Sequence, residues 1–352
     1  MSLSTGQFPD CFKGTFITPI LKKSGLPIDE PSSYRPISNL SVISKLLERL
    51  VAGRLVSFLE ENQLLPPCQS GFRYDFSTAT AITKVLSDLL DAVDPGDTAI
   101  LALLDLSATF DTVDHTILNR LSTSFGIHGQ VLNWFQSYLL GRRQQVRCGG
   151  SCSATAEVTC GVPQGSVLGP ILFVIYTADL SSIVHAFGVS LHQYADDSQI
   201  YGSCQPHNTS SLSVNLTRCT IAVADWMHSN RLQLNADKTD VMWCSTARRV
   251  SCLPSDPVNI AGTDVHPVST VRNLGVLIDS DLGAASHVQL IVSRCFSALR
   301  QLRHLRRYVN DDCFRSLVVA LIHSRLDYGN IVLAGLPIFR QRLLQSVLNA
   351  AA

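Results

Sequence analysis

At 352 residues the chain is long enough for two or three domains and a large core. An apolar content of 46% with 16% charged residues is that of a folded protein and excludes a disordered one. Basic and acidic residues balance at 28 each, which argues against a surface coated in positive charge.

The elements alternate in chain order without an internal repeat. Apolar spacing predicts a helix over 41–63, with Ser41 as its N-cap, and a second over 77–94, opened by Ser77 and closed before Pro95-Gly96. The run "TAILALLDL" (98–106) is short, continuous and bounded by turn signals, so it reads as a strand buried on both faces. Helices are expected at about 113–125 and 128–140, each stopped by a glycine, Gly126 and Gly141. "QQVRC" and "TAEVTC" read as a hairpin pair, and "GVPQGS" as a loop leading into an apolar helix over 167–183. A hairpin carrying Asp196-Asp197 comes next, then a long helix near 209–229 and short strands across 232–279. Beyond about residue 284 the pattern is helical and basic. From Gln289 to Leu344 stand nine arginines (Arg294, Arg300, Arg303, Arg306, Arg307, Arg315, Arg325, Arg340, Arg342) against Asp311, Asp312 and Asp327, a local +6 that leaves −6 elsewhere. Such a module could grip nucleic acid while an acidic body holds metal ions, and a solvated helix face reads equally well from charge alone. Mixed strands and helices followed by helices predict an α+β body with an all-α appendage.

No uninterrupted apolar run approaches the roughly 18–20 residues of a membrane span, and the N-terminus lacks the order of a signal peptide. The chain is therefore expected to be intracellular, with its eleven cysteines mostly reduced. Their number is odd, no CxxC pair occurs, and no His stands at ligand spacing from Cys148, Cys152 or Cys160, so a zinc site is not expected.

The acids carry the chemistry. An Asp-Asp in a turn is ordinarily just a turn. Asp105, however, ends a fully apolar strand, where a lone carboxylate is costly unless paired or bound to metal. If that strand and the Asp196-Asp197 hairpin share a sheet, three carboxylates meet at one edge, an arrangement that makes sense around divalent cations. Oxygen ligands in that number suit Mg²⁺, and two-metal carboxylate sites catalyse in-line nucleotidyl transfer.

"LLDLSATFDTVDH", "GVPQGSVLGPILF", "YADD" and "LQLNADKTDV", in that order and spacing, resemble the polymerase motifs of reverse transcriptases, most closely those of LINE-type (non-LTR) retrotransposons. Upstream, "FPDCFKGTFITPILKKSG", "YRPISNLSVISKLLERLV" and "QSGFRYDFSTATAI" resemble that group's fingers, and "SRLDYGNIVLAGLP" with "LLQSVLNAAA" its thumb-side region. The resemblance implies a right-hand polymerase: fingers and palm over 1–280, then a helical thumb over 281–352. It implies RNA-directed DNA polymerisation, adding dNTPs to a DNA primer on an RNA template with two Mg²⁺ ions, Mn²⁺ being a substitute, in the cytoplasm or nucleus.

By the same resemblance Asp105 and Asp196 are the main metal ligands and Asp197 the third acid. Lys238 would protonate the leaving pyrophosphate. Lys22, for which Lys23 is an alternative, and Arg35 would hold the triphosphate. Phe110 would pack under the sugar and exclude a 2′-hydroxyl. Pro163, Gln164, Gly165 and Ser166 would seat the nascent base pair and primer–template, glycine allowing close approach and Gln164 supplying an amide. Arg73 lies in a matching motif without an assignable contact. Thr109, before Phe110, departs from the commoner alanine. Relatives usually carry an endonuclease domain upstream and more sequence downstream, so the chain is expected to be a piece of a longer element protein. The competing reading is an inactive retroelement remnant that at most binds nucleic acid. A third reading, an RNA-dependent RNA polymerase, is opposed by Phe110 and the Tyr-Ala-Asp-Asp wording.

Overall fold

The computed structural model describes residues 2–107 and 113–352. After a short helix α1 (Ser2–Thr5), strand β1 (Gly14–Leu21) pairs antiparallel with β2 (Tyr34–Asn39). Pro19 stands opposite Pro36 in this ladder, and prolines that cannot donate to a ladder obscure a strand in sequence. Helix α2 (Val42–Glu61) is capped as expected: the Ser41 side chain accepts from the Ser44 amide. Helix α3 (Thr78–Val93) opens with a full capping box between Ser77 and Thr80.

Strand β3 (Thr98–Ser107) follows, and its residues Ala99, Ile100, Leu101 and Ala102 are fully buried. Helix α4 (Ile117–Thr123) is shorter than its apolar spacing predicts. The Asp114 side chain accepts from the Thr116 amide at 2.9 Å, so a local turn displaces the first helical turn. Helix α5 (Gly129–Leu139) leads into β4 (Arg142–Cys148), β5 (Ser151–Cys152) and β6 (Ala156–Val158), with both β5 and β6 antiparallel to β4. The helix predicted over 167–183 is two helices, α6 (Leu168–Tyr176) and α7 (Leu180–His185). After Thr177 the amides of Ala178 and Leu180 bond three residues back, to Ile175 and Thr177, and the Thr177 hydroxyl shares the Phe173 carbonyl at 3.1 Å.

The hairpin of β7 (Ser190–Tyr194) and β8 (Asp197–Cys204) is followed by α8 (Thr209–Ser229) and β9 (Gln233–Cys244). Two small hairpins come next: β10 (Val258–Ile260) with β11 (Thr263–Val265), and β12 (Thr270–Asn273) with β13 (Val276–Asp279). Helices α9 (Ala285–Leu305), α10 (Asp311–Val318), α11 (Ser324–Asp327) and α12 (Ile338–Ala351) complete the chain.

By compactness the chain falls into two units, each assembled from several segments. The first comprises Met1–Arg73, Leu106–Ile183 and Val223–Leu234. Its sheet runs β2-β1-β4-β5 with β6 also on β4, and β1 lies parallel to β4. Phe8, Trp134 and Tyr138 pack edge-on or stacked, and the buried Arg142 guanidinium lies 4.3 Å from the Tyr138 ring centre. The stretch Leu168–His185 is long and apolar enough to cross a membrane once polar residues are allowed within it. Nearly all of α6 is nonetheless buried in this unit, as a core helix is.

The second unit comprises Tyr74–Asp105, Val184–Ala222 and Asn235–Ala352. Its sheet order is β7-β8-β3-β9. Val85, Leu89 and Val93 of α3 cover Ala99, Leu101, Tyr201, Met242 and Cys244 on that sheet. The C-terminal helices hold an apolar cluster of their own, with Ile291, Cys295, Leu302, Ile322 and Val347 at its centre. A further cluster joins Ile82, Val276, Val288, Val332 and Leu336.

Candidate active site

The β3–β8 ladder runs antiparallel from Thr98 opposite Cys204 to Leu104 opposite Ser198. One further step along this register brings Asp105 beside Asp197. In the β7–β8 hairpin Tyr194 pairs with Asp197, leaving Ala195-Asp196 as a two-residue turn. Ala195 adopts φ 58°, a left-handed conformation that costs a non-glycine residue about 1 kcal/mol. The turn thus presents Asp196 and Asp197 at the edge where β3 delivers Asp105.

Charge accumulates there. Asp197 is open to solvent on one side, yet protein surrounds the rest of its carboxyl. Desolvation first, then the neighbouring charges of Asp196 and Asp105, push it up to about 6. The Lys238 ammonium on β9 pairs with Asp105 at 3.2 Å. A cavity of about 360 Å³ opens over these groups, lined by Asp105, Asp197, Lys238, Asp240, Arg272 and Asn273 among others. Among the described residues no three His, Cys, Asp or Glu side chains already stand close enough together to hold a metal ion. The acids are neighbours that repel one another. Hard carboxylate oxygens gathered at one edge are a donor set that a divalent cation fits, because its charge would relieve the repulsion that raises Asp197.

Lys22, Arg35 and the 163–166 loop belong to the first unit. Ile20 pairs with Arg35 in the β1–β2 ladder, and the Lys22 amide bonds to the Ser33 carbonyl at 2.9 Å, extending the ladder. Side chains alternate along a strand, so Lys22 falls on the face that carries Arg35 and Lys23 on the other. Lys22 and Arg35 are both exposed.

The 163–166 loop is fixed by its own backbone. The Gln164 carbonyl accepts from the Ser38 amide at 2.8 Å, and the Ser166 amide bonds to the Pro163 carbonyl at 2.9 Å. Gly165 sits at φ 104°, and a Cβ there would stand 3.3 Å from the Ser38 carbonyl oxygen, so glycine is required twice over. Ser166 Oγ accepts from the Gly169 amide at 3.0 Å and thereby helps cap α6.

Glu48 is a residue that sequence reasoning missed. Fully buried, it accepts from the Val167 and Leu168 amides at 2.8 and 3.3 Å and from Ser44 Oγ at 3.1 Å. A carboxylate from α2 therefore satisfies the positive N-terminus of α6 behind the loop. Nothing in the apolar spacing of α2 marks it. Arg73 now has contacts: it forks onto Glu60 at 2.8 and 2.7 Å and donates to the Pro66 and Gln69 carbonyls. Phe110 and Thr109 lie outside the described residues.

Residues 20–278 match the family profile described as reverse transcriptase (RNA-dependent DNA polymerase). The chain is 31% identical over 90% of its length to a probable RNA-directed DNA polymerase from transposon BS of Drosophila melanogaster, covering 35% of that protein. It is 34% identical over 79% of its length to the probable RNA-directed DNA polymerase from transposon X-element of the same species, covering 30% of it. The chain thus spans about a third of the length of these relatives. Among solved structures, telomerase from Candida albicans, in complex with a fragment of telomeric RNA, aligns with 98% of this chain and 64% of its own, at 12% identity and a TM-score of 0.53. Apo telomerase from Candida tropicalis aligns with 77% of this chain and 54% of its own, at 12% identity and a TM-score of 0.52. The fold is of the reverse transcriptase and telomerase polymerase type, with mixed helices and sheets.

Proposed function

We propose, since the chain belongs to the reverse transcriptase family, that it is an RNA-directed DNA polymerase of a non-LTR retrotransposon, extending a DNA primer with dNTPs on an RNA template. The observation that carries the reading is the register of β3 on β8. It sets Asp105 beside Asp197, one residue from Asp196 and under the Lys238 ammonium. In this reading residues 1–280 form fingers and palm and 281–352 a helical thumb. The last four helices hold an apolar cluster of their own, while Val288, Val332 and Leu336 pack on Ile82 and Val276. The protein works inside the cell, in the cytoplasm or nucleus.

The reaction joins the primer 3′-oxygen to the α-phosphorus of a dNTP and breaks the bond to the bridging oxygen, releasing pyrophosphate. Asp105, Asp196 and Asp197 would hold two divalent cations, Mg²⁺ with Mn²⁺ as substitute, through carboxylate oxygens. Bound there, such ions stabilise the charge on the attacking and leaving oxygens. Lys238 donates a proton to the departing pyrophosphate, and its contact with Asp105 keeps the ammonium at the acid edge. Lys22 and Arg35 bind the triphosphate, Arg as a fork and Lys as a point charge. Gln164 contributes amide contacts to the nascent pair, while Pro163, Gly165 and Ser166 shape the loop against the primer–template. Phe110 excludes the 2′-hydroxyl of ribonucleotides. Primer extension on an RNA template with dNTPs and Mg²⁺ is the test. A folded protein that yields no extended product under Mg²⁺ or Mn²⁺ contradicts the proposal.

A further inference from the structure

Beneath the acids lies a pair of amides. Gln199 is on β8, two residues beyond Asp197, and Asn273 is the last residue of β12. They are 1% and 2% exposed, and Gln199 Nε2 donates to Asn273 Oδ1 at 2.9 Å. Among the described residues each also has one buried atom without a partner, Gln199 Oε1 and Asn273 Nδ2. Burying polar atoms unpaired costs stability that an apolar pair of the same size would not. Both side chains line the cavity that holds Asp105 and Asp197.

The far side of the same turn is held as well. Tyr328 donates its hydroxyl to the Leu274 carbonyl at 2.5 Å. A Cβ on Gly275, at φ 89°, would stand 3.1 Å from the Tyr328 ring. The β12–β13 turn is therefore gripped from outside by Tyr328 and bonded to the acid-bearing strand through the buried Gln199–Asn273 pair.

We propose that Gln199 and Asn273 are a positioning pair, fixing the β12–β13 turn as one wall of the reaction cavity relative to Asp105 and Asp197. This rests on the polymerase reading of the cavity. Neither amide touches the reacting atoms. Their bond sets where that wall stands, and small displacements of positioning groups reduce turnover more than they reduce binding. A polar pair kept at a cost in stability, beside a site, is what such a role leaves behind.

The test uses Gln199→Met and Asn273→Leu, singly and together, each close in shape to the native side chain. Melting temperature, steady-state primer extension and amide hydrogen exchange are read on the same preparations. Each single variant should fold but melt lower, because it leaves the other amide wholly unpaired, and the double variant should recover or exceed the native melting temperature. They should lose roughly tenfold in kcat with KM for dNTP changed by less than about twofold. The double variant should be no worse than either single one, because one bond is being removed. Exchange should quicken at residues 273–276 in each. Full kcat in a folded variant, losses that multiply, unchanged exchange at the turn, or failure of both single variants to fold would each overturn the pair. A wild-type protein that makes no product contradicts the polymerase reading instead, while the exchange measurement still decides whether the amides hold the turn.

Discussion

Replacing Asp197 with Asn should make the metal-free protein more stable at neutral pH. The native carboxyl is pushed up from 3.8 to about 6, so ionising it in the folded state is opposed by desolvation and by Asp196 and Asp105. A shift of that size in a sealed interior would correspond to roughly 3 kcal/mol. Solvent reaches Asp197, and screening reduces the figure to about 1 kcal/mol. The sign follows from linkage. A raised acid pKa means the folded state holds its proton longer, so this group's contribution to stability falls as pH climbs from about 4 through about 6. Asn has no charge to lose, so Asp197→Asn should melt roughly 1–2 °C higher at pH 7.5 in EDTA. That margin should vanish near pH 4, where the native carboxyl is protonated. Mg²⁺ should narrow it at pH 7.5, by stabilising only the protein that keeps the acid. Thermal denaturation of both proteins at the two pH values, with and without Mg²⁺, is the assay. An Asn variant no more stable at pH 7.5, or a margin that persists at pH 4, would refute the electrostatic account of the turn.

Phe110→Val should retain dNTP incorporation and admit rNTPs more readily, weakening discrimination by roughly 1–3 kcal/mol in side-by-side primer extension; unchanged discrimination in an active variant would make Phe110 an ordinary apolar residue. Affinity for a primer–template should fall steeply with salt. Arg306, Arg315, Arg325 and Arg340 already bond within the protein, to Asp311, Asp312, the Arg294 carbonyl and the Gly283 carbonyl. Deleting 285–352 would strip Val288, Val332 and Leu336 from Ile82 and Val276, so charge substitutions are the cleaner probe: Arg300→Gln with Arg303→Gln should flatten the salt slope by about 0.9 for each phosphate no longer neutralised. Acid should destabilise the fold through His192, held down to about 4 chiefly by burial. The unfolded chain takes up that proton below about 6.5 and the folded one does not, so stability drains as pH falls from 6.5 towards 4. His192→Gln should blunt that loss in acid titrations followed by circular dichroism.

Much of this architecture was legible in local chemistry. Ser41 and Ser77 announced their helices because N-caps act within a few residues. The unbroken apolar run of β3 announced a strand buried on both faces. Acids at a strand end and in a tight turn suggested a shared sheet edge, and the β3–β8 register brings Asp105 beside Asp197. What escaped depended on distant partners. The β1–β2 ladder was hidden by Pro19 and Pro36. The break between α6 and α7, by contrast, is a local tightening to bonds three residues back at Ala178 and Leu180. Glu48 serves a helix more than a hundred residues away, and Gln199 finds Asn273 across 74 positions. No periodicity encodes such pairings, because they exist only once the chain has folded.

The central claim is that Asp105 and Asp196 carry nucleotidyl transfer by holding metal ions. It is tested most directly by primer extension on an RNA template with dNTPs and Mg²⁺, comparing wild type with Asp105→Asn and Asp196→Asn at matched folded concentration. The account predicts extended product from the wild type and a loss of at least roughly a thousandfold in kcat from either variant, both still folded. Variants that extend primers at the wild-type rate would contradict it.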